Sequence, residues 1–390
     1  MTADMSVKAP LIKERNSVDV LNLLRVLATL FVFLLHGRSD TVGIDDGFWL
    51  FSMLTNMPAW AGVWILFFLS GYLMQKGFLK NRYPIFEGGK LKSKALFEFY
   101  LRRFLKIAPA YYIYLLLFVV IRPDNYFFSS PLTALRIFTF TFNGIGGISG
   151  IGHLWYVSLA MWFYVFAPFF YYIISKLKTN RSVIVAFCLT VVLGFGLRNA
   201  LWFTDLPWYE YVYTFIPCNI DLFFGGMLAC TIADNIGKRL EREPRAVAKL
   251  LASIAFAALV VFNCFVYWKE IYRIYQYVLP TFYILGCSCL LWVFDCGKVK
   301  HTRPDRAAVL KNPLRLIDLF SPVTYSFYIF HMAVFYYVLE VLVLWEGFGE
   351  LSMYLRYTIY MTACFVMSLL LGILFTKMTA CFSKPKKKTA

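Results

Sequence analysis

The sequence predicts an all-α fold, a polytopic membrane helix bundle of about ten transmembrane helices. Of the 390 residues, 60% are hydrophobic and only 16% are charged, whereas an ordinary soluble domain has about a quarter charged residues. Aromatic residues make up 19% of the chain, which is typical of proteins whose helix ends lie at membrane interfaces. The net charge of +17 does not indicate nucleic-acid binding, because the basic residues lie in short loops between apolar runs.

Apolar runs long enough to cross a bilayer, which takes about 20 helical residues, recur ten times along the chain. They are 18–37, 59–78, 104–121, 154–175, 182–202, 211–232, 248–267, 275–295, 319–345 and 353–376. We therefore predict a cytoplasmic N-terminal tail at 1–17, a transmembrane domain at 18–376 and a basic cytoplasmic C-terminal tail at 377–390. We expect no appended soluble domain.

The distribution of Lys and Arg predicts how the bundle is oriented. With the N-terminus in the cytoplasm, 31 of the 39 Lys and Arg residues fall in cytoplasmic segments and 7 in outer segments, Arg198 among the latter. Short cytoplasmic loops of membrane proteins carry such an excess of positive charge. Because the number of spans is even, both termini are expected in the cytoplasm.

Two connections are longer than the topology requires. The segment Leu79–Arg103 is cytoplasmic and strongly basic, and Arg122–His153 is external. The external connection contains a partly apolar piece, Pro131–Phe142, followed by the glycine-rich run NGIGGISGIGH. Glycine-rich backbone can approach a ligand closely, so we interpret this run as a re-entrant or lid segment.

Arg25 and His36 are the first candidates for chemistry, because the ten residues between them carry no charge. Eleven steps of about 100° return a helix to nearly the same face. Ionisable groups inside a membrane are costly and are functional candidates by default. Neutral His can take a proton from a hydroxyl, and Arg can bind an anion or a developing oxyanion. The alternative is simple helix–helix contact, with His36 at the outer interface.

Other ionisable residues in the spans have simpler alternative explanations. Asp221 either has a catalytic role or pairs with a buried cation, which we expect to be Arg25. For His331 the simpler explanation is a hydrogen bond to a Tyr, and for Glu340 a position near the outer interface. His153 lies at the entrance of a span.

Several classes of enzyme lack support in the sequence. There is no G-x-S-x-G elbow, no Walker A sequence and no H-E-x-x-H motif, which argues against serine hydrolysis of that type, nucleotide-driven transport and zinc proteolysis. The nine cysteines form no paired C-x-x-C sets. We therefore predict neither a metal site nor a disulfide framework.

Five further segments follow the Arg25–His36 pair and complete a set of motifs. They are FFLSGYL at 67–73, RRFLKIAPAYY at 102–112, HLWYVSLAMWFYVFAP at 153–168, Asp221 with Gly225, and TYSFYIFHMAV at 324–334. Together and in this order, the segments resemble the motifs of the acyltransferase-3 family of bacterial membrane proteins. The sequence departs from the family pattern at four positions. Asn22 replaces a frequent Asp, Lys106 replaces an Arg, and Ala160 and Met161 replace two Glu residues of many polysaccharide-modifying members.

The resemblance implies roles for individual residues. His36 would be catalytic, with Arg25 as its partner, and Asp221 is the third catalytic candidate. Residues in the remaining motifs would bind the donor or the acceptor: Ser70, Tyr72, Arg102, Arg103, Lys106, His153, Trp155 and His331.

The resemblance also implies a function, namely transfer of an acyl group, commonly acetyl, from cytoplasmic acetyl-CoA or another acyl-CoA to a hydroxyl of a surface or exported glycan. No permanently bound cofactor and no nucleic-acid partner are expected, and the location would be the bacterial inner membrane. His36 would deprotonate the hydroxyl or carry the acyl group itself, and both options stay open. Basic residues would meet the CoA phosphates, although topology alone also explains them: Lys90, Lys92, Lys94, Arg102 and Arg103.

Two other functions remain as alternatives. A membrane transporter or exporter of a small anionic solute would use the same polar groups for binding, and it would move its solute without covalent change. A purely structural membrane protein has no need of ionisable residues inside its spans.

Overall fold

The computed structural model describes residues 13–15, 19–39, 49–55, 60–121, 130–142, 150–204, 206–239, 244–268, 272–295, 299–301 and 306–383. These residues form a helix bundle with two minimal two-stranded sheets. The α-helices are α1 (Val20–His36), α2 (Trp49–Thr55), α3 (Ala61–Leu79), α4 (Ser93–Ile121), α5 (Pro131–Phe138), α6 (Trp155–Lys176), α7 (Asn180–Trp202), α8 (Ile216–Arg239), α9 (Ala246–Trp268), α10 (Tyr272–Phe294), α11 (Arg306–Lys311), α12 (Leu316–Phe320), α13 (Thr324–Val343) and α14 (Met353–Ser383).

Short helical turns and strands complete the described part of the chain. The 3-10 turns are Gly152–Leu154, Pro313–Arg315, Ser321–Val323 and Glu346–Phe348, and a π-helix covers Tyr209–Tyr213. Strand β1 (Lys13–Arg15) pairs in parallel with β4 (Val299–His301), and β2 (Phe86–Glu87) forms a hairpin with β3 (Lys90–Leu91).

The prediction of a polytopic helical membrane protein is confirmed. Within the described residues, nine helical segments are long and apolar enough to cross a membrane, and α1 is a shorter apolar helix. Each of these ten segments overlaps one of the ten predicted spans. Hydropathy predicts the number of helices well because a lipid-embedded backbone has few alternatives to a helix.

The long cytoplasmic loop predicted at Leu79–Arg103 is partly wrong. Helix α4 begins at Ser93, and only the residues before it form a connection, which contains the β2–β3 hairpin. Arg102 therefore lies on a helix, where it pairs with Glu98 one turn earlier at 3.6 Å. Hydropathy detects the apolar part of a helix and misses a charged extension that continues into water.

The external connection also contains a helix. Helix α5 occupies most of the partly apolar piece that the sequence showed at 131–142, and the Ser130 side chain caps it by accepting from the backbone N–H of Thr133. The glycine-rich run interpreted as a re-entrant or lid segment lies for the most part outside the described residues, at 143–149.

Helix α3 lies against α8 with direct backbone contact. A Cβ atom placed on Gly71 would lie 1.9 Å from the carbonyl oxygen of Phe223, and one on Gly226 would lie 2.1 Å from that of Phe68. The two backbones therefore approach closely at Gly226, whereas a Cβ on Gly225 would meet only an ordinary contact at 3.5 Å. In lipid, no hydrophobic effect drives two helices together. Small residues at the contact instead let the backbones approach closely.

Helix α1 lies between α3 and α13. Its backbone carbonyl at Ala28 would be 2.4 Å from a Cβ on Gly62 of α3. On its other side, the Phe33 ring packs against Phe327 and Phe335 of α13, with centroid distances of 5.5 and 4.7 Å. The helix begins after Asp19, whose carboxylate accepts from the N–H of Leu21 at 2.9 Å. This placement presents one side of α1 to α13.

Candidate active site

Arg25 and His36 both contact the segment that leads into and forms α13. The Arg25 Nη1 atom donates to Ser321 Oγ at 2.9 Å, and the His36 ring lies 5.1 Å from the His331 ring, centroid to centroid. This agrees with the expectation that the two residues, eleven positions apart, point to one side of α1. Both side chains are half-buried.

Three histidines meet at the end of α1. The His331 ring lies 5.1 Å from His36 and 5.2 Å from His153. His153, in the turn before α6, donates from Nε2 to the carbonyl oxygen of Ile329 at 2.9 Å, and the Tyr328 hydroxyl donates back to the His153 carbonyl at 2.7 Å. The structure thus brings together three of the predicted site residues that sequence analysis treated one by one.

The simpler explanation for His331, a bond to a tyrosine, holds in a modified form. Its Nδ1 atom contacts the backbone carbonyl of Tyr328, not a phenol group. The other ring nitrogen, Nε2, is buried and has no hydrogen-bond partner among the described residues. The same is true of His153 Nδ1. Buried polar atoms without partners are uncommon and mark positions that need an explanation.

Arg25 is connected to a carboxylate by two neutral side chains. Ser321, which accepts from Arg25, donates to Asn22 Oδ1 at 2.8 Å, and Asn22 Nδ2 donates to Asp318 Oδ1 at 2.9 Å. The second Asp318 oxygen accepts from Arg315 Nε at 2.9 Å. We call this chain of bonds the Asn22 relay. Asn22, the position where relatives often have Asp, therefore has a carboxylate directly beside it.

The inner part of the bundle contains two more cations near Arg25. Arg103 donates to the Tyr83 hydroxyl, and its guanidinium carbon lies 4.9 Å from the Tyr83 ring centroid and 5.6 Å from that of Tyr164, within cation–π range. Lys106 lies close enough to Arg103 and Arg25 to be repelled by both. Its side chain is exposed.

Tyr156 and Ser70 approach the same cationic region. The Ser70 hydroxyl lies beside Tyr156 and donates to the carbonyl of Leu66 at 2.8 Å. Tyr156 in turn interacts electrostatically with Arg25. Arg25, Lys106 and Ser70, all predicted site residues, therefore lie in one neighbourhood, and Tyr156 is an addition to it.

Other predicted site residues lie elsewhere or are engaged in packing. The Tyr72 hydroxyl donates to Asp295 at 2.7 Å, and Lys76 binds the same carboxylate. Trp155 packs against Tyr213 with a centroid distance of 4.8 Å. Arg102 is exposed on α4. Glu340, near the end of α13, is exposed, as expected for an interfacial residue.

Asp221 does not pair with Arg25, so that expectation is wrong. Both carboxylate oxygens of Asp221 accept from Arg198, each at 2.8 Å. Arg198, counted from the sequence as an outer-loop charge, lies instead within α7 and is 1% exposed. The ion pair is an alternative to a catalytic role for Asp221, and the catalytic role stays a prediction.

Sequence analysis missed the residues that hold Arg25 in place. Ser321 and Asp318 lie just before α13, and Asp318 falls outside the predicted span. A signal was present, because an Asp immediately before an apolar run can compensate a cation at the same membrane depth. The sequence does not say which cation this carboxylate compensates, because that depends on how the helices pack.

The fold and the site define a class: a polytopic helical membrane protein whose ionisable side chains converge inside the bundle. The chain belongs to the family described as "Acyltransferase domain", which it matches over residues 18–377. The family resemblance drawn from the motifs is thereby confirmed.

Two characterised proteins are similar over part of this chain. Peptidoglycan O-acetyltransferase OatA of Listeria monocytogenes is 27% identical over 239 residues, which is 54% of this chain and 36% of that protein. "Regulator of hypoxia-inducible factor 1" of Caenorhabditis elegans is 29% identical over 197 residues, 44% of this chain and 37% of that protein. The similarity thus spans just over a third of either relative. No solved structure matches the chain.

Proposed function

We propose that this protein is a membrane O-acyltransferase that moves an acyl group, most simply acetyl, from a cytoplasmic acyl-CoA to a hydroxyl of a cell-surface or exported glycan. The observation that carries the proposal is the family match, which extends over nearly the whole chain. Similarity to a peptidoglycan O-acetyltransferase supports a glycan hydroxyl as the acceptor. The bacterial inner membrane, reached by glycan precursors, is the proposed location.

His36 is proposed as the general base. A hydroxyl becomes a good nucleophile when its proton is removed as it attacks, and such help contributes about 10² to 10⁴ in rate. His36 suits this role because its ring is half-buried beside His331, at one end of the cluster of three imidazoles, and makes no hydrogen bond to any described residue.

Arg25 and Lys106 are proposed to face the acyl donor. One Arg25 nitrogen is bound to Ser321, and the rest of the guanidinium can take a carbonyl oxygen or a phosphate. Lys106 and Arg103 add positive charge within the same region. Cations that have lost part of their hydration attract anions, and at Arg25 the carboxylate of Asp19 offsets only part of this clustered positive charge. The donor would therefore enter from the cytoplasmic side, where the basic residues of α4 lie.

The enzyme test uses membrane vesicles that contain the wild-type protein or the His36→Ala variant. Vesicles receive acyl-labelled CoA and a peptidoglycan or oligosaccharide acceptor, and mass spectrometry counts acyl groups on the acceptor. We expect acylation by the wild type and a loss of about 10² to 10⁴ with His36→Ala at equal protein abundance. Uptake or release of an unmodified solute without acylation would instead indicate a transporter.

The proposed orientation has its own test. A reporter fused after Lys388 is expected to behave as cytoplasmic, and one inserted near Asp205 as external, because basic residues concentrate on the side of the termini. An external reporter signal at the C-terminus would contradict the proposal and would require an odd number of spans.

A further inference from the structure

His331 presents a hydrogen-bond acceptor to the interior of the bundle. Its Nδ1 atom contacts the carbonyl oxygen of Tyr328, and a carbonyl can only accept, so the ring proton belongs on Nδ1. Nε2 then carries the lone pair, and it is buried without a partner among the described residues. Leaving such a buried acceptor unsatisfied is costly, so a donor for Nε2 is expected.

Among the described polar neighbours, the ring of His36 is the one that has a proton to give. His153 already donates from Nε2 to Ile329, which makes its own Nδ1 an acceptor as well. Two acceptors cannot bond to each other. The hydroxyl of Tyr328 is engaged with the carbonyl of His153. His36 is uncommitted within the described part of the chain, and its ring lies 5.1 Å from that of His331.

We propose that His331 is a positioning residue for His36, with Nε2 of His331 accepting the N–H of the His36 imidazole. Ring nitrogens lie on the perimeter of an imidazole, so a centroid separation of 5.1 Å lets facing nitrogens reach hydrogen-bond distance after a small rotation of the His36 side chain. Such bonds are often long in unliganded structures. The inference rests on the proposed function, because it concerns how His36 acts as the base there.

The bond gives His36 a defined tautomer. The nitrogen that faces His331 carries the proton, and the opposite nitrogen is left free to act as a base. In the assisted step, the acceptor oxygen bonds to the acyl carbonyl carbon, its proton moves to the free His36 nitrogen, and the thioester carbon–sulfur bond breaks. The proton then passes from His36 to the departing thiolate. While His36 carries both protons, His331 stabilises the cation, as an orienting partner does in a catalytic triad.

Two replacements separate the roles of the two His331 nitrogens. His331→Gln places an acceptor near the position of Nε2, whereas His331→Asn preserves a group near Nδ1 and does not reach His36. We expect the Gln variant to keep most of the kcat. The Asn variant should lower kcat by about 10-fold to 10³-fold, a part of what a general base contributes, with KM nearly unchanged because His331 acts through His36.

A matched control removes a buried polar group from the same helix contact. Tyr360→Phe deletes a hydroxyl that makes a long bond of 3.4 Å to the carbonyl of Phe335 on α13, and it should leave kcat and KM unchanged. Equal losses of kcat in His331→Gln and His331→Asn would overturn the proposal. A rise in KM at constant kcat would also overturn it and would make His331 a substrate-binding residue.

A second measurement needs no turnover. The chain has four histidines, so ring ¹⁵N resonances of the labelled protein in detergent can be assigned by single substitutions. We expect one neutral tautomer at His36 in the wild type and in His331→Gln, and a mixture in His331→Asn. An identical His36 spectrum in wild type and His331→Asn would overturn the proposal. If the wild type transfers no acyl group, the proposed function fails, and this spectrum still decides whether His331 holds His36.

Discussion

Two of the arginines inside the bundle, Arg198 and Arg25, have opposite surroundings. Arg198 uses all five N–H groups of its guanidinium: two on Asp221, and the others on the carbonyls of Cys218 and Tyr277 and the hydroxyl of Thr281. Arg25 makes one hydrogen bond among the described residues, to Ser321. The first arginine is 1% exposed, and the second is half-buried.

The difference separates a charge that can only join helices from one that can still bind a ligand. A saturated arginine has no donor left for a ligand, so it can only join the helices that supply its acceptors. An arginine tied by one nitrogen is oriented and still has free donors. Charge within a span therefore does not by itself indicate function, and the number of uncommitted donors is the more informative property.

The largest expected effect is at Arg198. Arg198→Leu leaves the carboxylate of Asp221 buried without its partner, which typically costs about 3–5 kcal/mol. We expect low abundance in membranes and a lower midpoint of thermal unfolding in detergent. The double variant Arg198→Met with Asp221→Leu should restore abundance, because an apolar pair of similar volume removes both charges. A single variant as stable as wild type would mean that the ion pair has no structural role.

At Arg25 we expect the opposite pattern. Arg25→Lys should leave abundance unchanged and lower acyl transfer by about 10- to 100-fold, since hydrogen bonds to charged groups contribute about 1.5–3 kcal/mol and an ammonium lacks the planar fork. Arg198→Lys is the matched control: it should reduce abundance more than activity per molecule. Full activity in Arg25→Lys would show that the free donors of the Arg25 guanidinium are not needed for acyl transfer.

A glycine beside the saturated pair provides a smaller test of stability. A Cβ atom on Gly194 would lie 2.0 Å from Asp221 Oδ2, whereas one on Gly196 in the same helix would meet open space. We expect Gly194→Ala to lower the free energy of unfolding by about 1–3 kcal/mol through overpacking. Gly196→Ala should be neutral or slightly stabilising. Unfolding midpoints that agree for the two variants would contradict this packing.

The smallest expected effect concerns the Asn22 relay. Asn22→Ala removes the link between Ser321 and Asp318, while Arg25 keeps its bond to Ser321 and Asp318 keeps Arg315. Of the two bonds that Asn22 makes, only the one from Ser321 reaches the partner of Arg25. A neutral hydrogen bond of this kind contributes about 0.5–1.5 kcal/mol, so acyl transfer should fall by about 2- to 10-fold without loss of protein. A loss as large as that of Arg25→Lys would show that the relay, and not the guanidinium itself, determines activity.

The sequence predicted the helices better than the contacts between them. Apolar length identified the nine described segments that are long enough to cross a bilayer and the shorter apolar helix α1, because the bilayer imposes that length. The start of α4 at Ser93 was missed, since a helix that leaves the membrane loses its apolar signal. The Arg25–His36 spacing placed both residues on one side of α1, because helix geometry is local.

Long-range pairings could not be predicted in the same way. Asp221 was expected to pair with Arg25, and its partner is Arg198, which lies nearer in the sequence and had been counted as an outer charge. Likewise, nothing in the spacing of His36, His153 and His331 indicates that their rings meet. Which charged groups share a neighbourhood depends on how helices pack, and single-sequence patterns contain no direct record of packing.

The backbone contact between α3 and α8 has a mechanical consequence. Carbonyl oxygens lie against Gly71 and Gly226 there, so at these two positions no side chain separates the helices and little can shear or compress. The contact between α1 and α13 is different, because the rings of Phe33, Phe327 and Phe335 fill it. Aromatic side chains can change rotamer. Under the proposed function, a bulky acceptor has to reach His36. We expect the helix movement that admits it to occur between α1 and α13, while α3 and α8 move together as one unit.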